Sequence, residues 1–268
     1  MQLYPASPKQ RLRGSVSKLA LVVALATLLG ACANKPNSGD ITGSIRNPFA
    51  TAEANSRSEA ERLGEEYKSK PADPQVAIAY AQALRRSEQN AQAVAVLEQA
   101  MIKNPNHKAL AGEYGRALAE AGRLQQALDV LSRAHTPDQP DWRVLNAQGA
   151  INDQLGNYKA ARRFYQTALK IVPDEPSVLS NLGLSYILSK ELKLAETTLR
   201  KAAASPRAEK RVRQNLALAL ALQGKFGEAE KIAAGDLPPE EASANIAALR
   251  DLIKEQQARP LNTKRNQS

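Results

Sequence analysis

The chain has 268 residues, with 37 Lys and Arg against 27 Asp and Glu, a formal charge of +10 and 43% hydrophobic residues. A single cysteine excludes a disulfide framework, and eleven aromatics with no cluster of basic and aromatic residues argue against a nucleic-acid partner. Two histidines leave little scope for metal-ligand or triad chemistry.

The N-terminus carries a secretory address. Lys9, Arg11, Arg13 and Lys18 precede an apolar run of eleven residues, Leu19 to Leu29. That run is too short to span a bilayer as a stable helix, but it has the length of a signal-peptide h-region. It ends in Leu29-Gly30-Ala31-Cys32, which resembles the bacterial lipobox. The resemblance implies that residues 1–31 are removed as a lipoprotein signal peptide and that Cys32 carries covalent lipid. Two or more acyl chains anchor stably where one is marginal. Among such lipoproteins an aspartate after the cysteine marks retention in the inner membrane. Here Ala33 follows, implying the outer membrane with the body facing the periplasm. Without the four basic residues of the signal segment the mature chain is near +6, a body suited to anionic headgroups or cell-wall material. Residues 32–55 are rich in Asn, Ser, Gly and Thr and show no sustained period. They are expected to form a flexible tether, spanning on the order of 25–30 Å as a random coil.

From Ser58 to Lys70 the pattern is helical, with Leu63 and Tyr67 on one face, and reads as the second helix of an incomplete repeat. A gapless 34-residue period then runs five times, over 74–107, 108–141, 142–175, 176–209 and 210–243. Its eighth position is Ala81, Gly115, Gly149, Gly183 and Ala217, and its twentieth is alanine in every block, from Ala93 to Ala229. Ala100, Ala134, Ala168 and Ala202 share the twenty-seventh. Small residues at fixed phase place two closely crossing helices in each block. Leu97, Leu131, Tyr165 and Leu199, at the twenty-fourth, are the larger knobs that fill the gap. The eleventh position is apolar except at Asn152. Gly122, Gly156 and Gly224 at the fifteenth suit a left-handed helix end, and prolines cluster at or beside the thirty-second. This pattern resembles the tetratricopeptide repeat (TPR). The expected fold is all-α: a right-handed TPR α-solenoid of about five repeats, with an N-terminal half-repeat, over 56–259. Residues 244–259 place Ile246, Leu249, Leu252 and Ile253 on one face, as a C-terminal capping helix requires. The tail, 260–268, is polar and is expected to be disordered.

Nothing in the chain points to catalysis. His107 and His135 fall near repeat ends, no glycine-rich phosphate loop occurs, and acidic pairs such as Glu65-Glu66 sit on helix surfaces or starts. No enzyme activity, metal, small-molecule substrate or cofactor is expected beyond the lipid on Cys32. Binding then falls to the concave face, lined in a TPR solenoid by the first helix of each repeat. Early repeats offer polar and basic residues there: Gln82, Arg85, Arg86, Arg116, Arg143, Asn146 and Asp153. Later ones offer Leu184, Ile187, Leu188, Leu218 and Leu222. A peptide with an acidic end and an apolar end fits such a groove. Two alternatives stay open at this point: the basic residues form a recognition patch or ordinary surface charge, and the apolar half is open or filled by the capping helix. Trp142 either fills a gap between repeats or stands as an exposed anchor.

Tyr114-Gly115-Arg116-Ala117-Leu118, Pro140-Asp141-Trp142, Asn181-Leu182-Gly183-Leu184-Ser185-Tyr186 and Gln214-Asn215-Leu216-Ala217-Leu218 stand in repeat order behind the lipobox. That set resembles the TadD family, the TPR lipoproteins of the tight-adherence (Flp) pilus assembly system. The resemblance implies an outer-membrane accessory factor with a pilotin-like role, binding the pilus secretin or another protein of that machinery. The alternative is a general periplasmic TPR adaptor lipoprotein serving cell-wall enzymes or outer-membrane protein assembly.

Overall fold

The computed structural model of the chain describes residues 48–258, which form twelve α-helices. The expected signal peptide, Cys32, residues 32–47 of the expected tether and the tail 260–268 lie outside the described residues. Five helix pairs follow the period. The first helices are α2 (Pro74–Arg86), α4 (Lys108–Glu120), α6 (Trp142–Gln154), α8 (Pro176–Leu188) and α10 (Lys210–Leu222). Their partners are α3 (Asn90–Lys103), α5 (Leu124–Leu131), α7 (Tyr158–Ile171), α9 (Leu192–Ala203) and α11 (Phe226–Ala233). Helix α1 (Pro48–Ser69) precedes the array and α12 (Pro239–Ala258) closes it. The substantial contacts run between helices adjacent in the chain or one removed, the pattern of a solenoid.

Each start has a local cause. Pro74 and Pro176 occupy first helical positions, where the missing N–H is not needed. The residue before four of the five first helices caps it: Asp73 accepts from the Gln75 N–H (2.8 Å), His107 through Nδ1 from Leu110 (3.1 Å), Asp141 from Arg143 (2.7 Å) and Glu175 from Ser177 (3.4 Å), whereas Glu209 makes no such bond. His107 therefore serves as a helix cap. Each first helix then ends on a residue in the left-handed region, at one phase of the period: Glu88, Gly122, Gly156, Lys190 and Gly224, with φ between 61° and 79°.

The crossing inside each pair is set by the small residues. A Cβ on Gly115, Gly149 or Gly183 would overlap the side chain of Leu131, Tyr165 or Leu199 respectively. Those knobs are fully buried, as are the alanines at the twentieth position. At the eleventh position Asn152 is also buried, and its amide donates to the Gln148 carbonyl of its own helix (2.8 Å).

Two boundaries differ from the sequence expectation, and the second helix of repeat two stops well short of the repeat's end. Helix α1 begins at Pro48, so the last eight residues of the stretch expected to be a tether, 48–55, are helical. Helix α5 ends at Leu131, and the chain reaches Trp142 through a turn closed by a Thr136–Gln139 bridge around Pro137. The closing helix starts at Pro239, ahead of the expected residue 244, because α11 already stops at Ala233 and Pro238-Pro239 opens a new helix.

Gly149→Ala is expected to lower stability by about 1–3 kcal/mol, since Tyr165 has nowhere to move in the packed crossing. Lys190→Gly removes a left-handed non-glycine residue and is expected to raise it by about 0.5–1 kcal/mol after the glycine entropy cost. Urea unfolding followed by circular dichroism reads both. An unchanged midpoint for Gly149→Ala would contradict the packing account.

Candidate functional site

The first helices of the central repeats line an open concave groove of about 810 Å³, running from Gln82 on α2 to Arg211 on α10. Of the residues expected there, Gln82, Arg85, Arg86, Arg116, Arg143 and Asn146 line it together. Glu113, Glu120, Trp142, Ser177, Asn181 and Arg211 line it as well. The period carries a signal for five of these: Ser177 and Arg211 share the second position with Arg143, Glu120 shares the thirteenth with Arg86, and Glu113 and Asn181 share the sixth, a phase left out of the expected lining set.

The N-terminal end of the groove is not a free cationic patch. Glu113 is buried, accepting from Gln82 Nε2 (2.9 Å), from Arg85 Nη1 (2.9 Å) and from Arg116. Arg85 also donates through Nε to Glu120 (2.7 Å). Burial opposes the charge on Arg85, and its bonds to Glu120 and Glu113 outweigh that, raising its pKa. Arg86 is paired with Glu59 of α1 at 2.9 Å. The expected basic half is thus a cross-repeat ion network whose charges are largely answered from within the protein. With five arginines against two glutamates in the lining, the excess positive charge falls toward α6 and α10.

There Trp142 is half-buried in the groove wall, and the Arg143 guanidinium lies over its ring, 4.5 Å from the centroid. Trp142 also packs beside the core of Leu145, Tyr165 and Leu182, so it both fills the inter-repeat gap and shows a face to the groove. Asn181 Nδ2 donates to Asn146 Oδ1 at 3.0 Å, tying α8 to α6 across the groove floor.

Six expected groove residues sit elsewhere. Asp153 is buried and accepts from the Ser185 hydroxyl (2.7 Å) and the Tyr165 hydroxyl (2.8 Å), joining α6, α7 and α8. Its position in the period faces the next repeat here, so it is a structural bridge and not a groove residue. Ile187 is buried, Leu184 packs against the same core and Leu188 is half-buried; none of the three lines the groove. That core also contains Leu218 and takes Ile246 and Leu249 from α12, with Leu222 packed against it. The apolar half is therefore closed, because the terminal helix covers leucines that would otherwise face water.

Two tetratricopeptide repeat models match the sequence, one over residues 84–151 and one over 142–175. The chain carries tetratricopeptide repeats. Among solved structures, a chain of the APC/C hetero-tetramer Cut9–Hcn1 superposes with a TM-score of 0.62 at 15% identity, covering 78% of this chain and 41% of that one. IFIT1 does so with 0.61 at 16% identity, covering 76% and 52%. This TPR chain therefore spans about half or less of the length of either, and the likeness is one of fold. A MamA variant is 29% identical over 57% of this chain and 88% of its own, with a TM-score of 0.44. A comparison with curated proteins gave no match.

Burial pushes the Asp153 carboxyl up to about 6, against the opposing hydrogen bonds from Ser185 and Tyr165 and the charge of Arg162. A carboxyl raised in the folded state takes up a proton there before the unfolded chain does. Its contribution is thus full below the unfolded carboxyl's pKa of 3.8 and is lost as pH rises through about 6. The stability of the wild type relative to Asp153→Asn is expected to rise as pH falls from 8 to 5, read as the difference in Tm. Parallel Tm curves would show that Asp153 does not titrate in this window.

Proposed function

We propose that this protein is a lipid-anchored, non-enzymatic scaffold of the outer membrane that holds a tight-adherence pilus secretin, or another protein of that machinery, in its concave groove. The observation that carries the reading is the uninterrupted repeat array with an open groove of about 810 Å³, walled by side chains suited to hydrogen bonding and charge rather than to catalysis. TPR arrays are protein-interaction scaffolds, and extended segments dock through backbone and side-chain contacts with such surfaces. The lipobox-like Leu29-Gly30-Ala31-Cys32 supports the anchor, and the repeat-order resemblance to TadD supports the pilus.

Anchoring gives the groove its effect. A partner captured beside the membrane meets its assembly site at an effective concentration set by the tether, not by its dilution in the periplasm. A peptide-binding surface of modest affinity is then sufficient to fix where a multimer forms.

Secretin multimer in the outer membrane is the direct readout, compared among wild type, a deletion strain and Cys32→Ser. Multimer is expected to fall in both altered strains and to collect in the inner membrane. Normal multimer in all three would overturn the pilotin reading and favour a general periplasmic adaptor.

A further inference from the structure

The charges along the groove are not equivalent, and the difference defines what the open half recognises. Arg85, Arg86 and Arg116 are held by Glu113, Glu120 and Glu59. Arg143 and Arg211 are not held in that way. Each is exposed, in the first turn of its helix, at the same phase of repeats three and five. Arg143 has no carboxylate partner among the described residues and rests on Trp142. Arg211 meets Glu209 at 3.1 Å, with both side chains well exposed, so water and salt screen the contact and it holds the guanidinium only weakly.

The wall between them is polar and tied across repeats. Asn181 Nδ2 donates to Asn146 Oδ1, Arg211 Nη1 donates to Asn181 Oδ1 at 3.5 Å, and Ser177 shares the lining. Asn146 spends its oxygen on Asn181, and no bond to its amide nitrogen is seen among the described residues, so that nitrogen is free to donate into the groove.

We infer that this half of the groove takes an extended acidic segment of a partner polypeptide, with one carboxylate at Arg143, a second at Arg211, and the intervening backbone along Asn146, Ser177 and Asn181. Charge complementarity argues for this occupant: the excess cations lie here, in a concavity that strengthens their field. Arginine matches the two oxygens of a carboxylate with paired donors. Packed helices lie about 8–10 Å apart, which puts α6 and α10, on either side of α8, about 16–20 Å apart. An extended chain advances about 3.3 Å per residue, so that gap corresponds to about five or six residues. Side chains of an extended segment alternate between faces, which selects the even spacing. The segment therefore carries acidic residues at i and i+6.

The inference rests on groove capture as proposed above. Trp142 is the only tryptophan, so its fluorescence reports this site alone. The purified full-length chain in detergent is titrated with an acetylated, amidated peptide of Ser, Thr and Val carrying two glutamates six residues apart. Its isomer, with the glutamates adjacent, serves as comparison. The spaced peptide is expected to bind at least about fivefold more tightly, and Arg211→Ala to weaken it about tenfold. Lys201→Ala, on the second helix of its repeat and outside the groove, leaves affinity unchanged. Equal binding of the isomers, no effect of Arg211→Ala, or no fluorescence change overturns the inference. If secretin assembly still depends on the protein in that event, the charge spacing alone is wrong; if that dependence is also missing, groove capture falls with it.

Discussion

Within each repeat two helices meet at one small residue. At the eighth position of repeats two to four the first helix has no side chain, and Leu131, Tyr165 or Leu199 fills the place where a Cβ would stand. A close-packed interior cannot absorb the overlap of an added methyl there, so the crossing is held at one geometry. The same geometry recurs every 34 residues, and first helices therefore line up along one concave wall. The groove is a consequence of that contact: its lining comes from whatever stands on the far side of the same helices.

How far the sequence discloses this follows from the range of each interaction. The crossing joins residues sixteen apart and recurs five times, so the period exposes it, down to helix starts at 74, 108, 142, 176 and 210. Glu88 and Lys190 are not legible as left-handed residues from their type, and only their phase beside Gly122, Gly156 and Gly224 reveals them. The neutralisation of Arg85 and Arg86 is hard to read from the sequence because their partners lie about one period away, Glu113 at 28 residues and Glu120 at 35 from Arg85 and Glu59 across from Arg86, whereas the Arg116–Glu113 pair is local to one helix. Asp153 and Ile187 show the limit of assigning lining by phase alone. A residue at the twelfth position lines the groove at Arg85 and is buried against the next repeat at Asp153.

The division of charge gives the two ends of the groove different work. Around Glu113, ion pairs with side chains that are largely shielded from solvent join α2 to α4 and hold the wall. Such a network stiffens geometry, and truncating one member would leave a buried charge unanswered. Around Trp142 the cations face open space, at a wall kept in register by the Asn146–Asn181 bond. On the proposed reading, stability and recognition are carried by the same residue type at different phases. The terminal helix α12 completes the arrangement by covering leucines of the last repeats, which leaves the polar stretch as the open part of the groove.

The central claim is that a partner polypeptide sits in this groove, and photo-crosslinking in living cells tests it most directly. A photoreactive amino acid replaces Ala147 on the groove wall in one strain and the exposed Lys201 of α9 in another. The account predicts a strong adduct from position 147 containing a pilus-machinery protein, with position 201 giving little. Equal adducts from both positions, or none from position 147 while the protein is folded and membrane-bound, would contradict it.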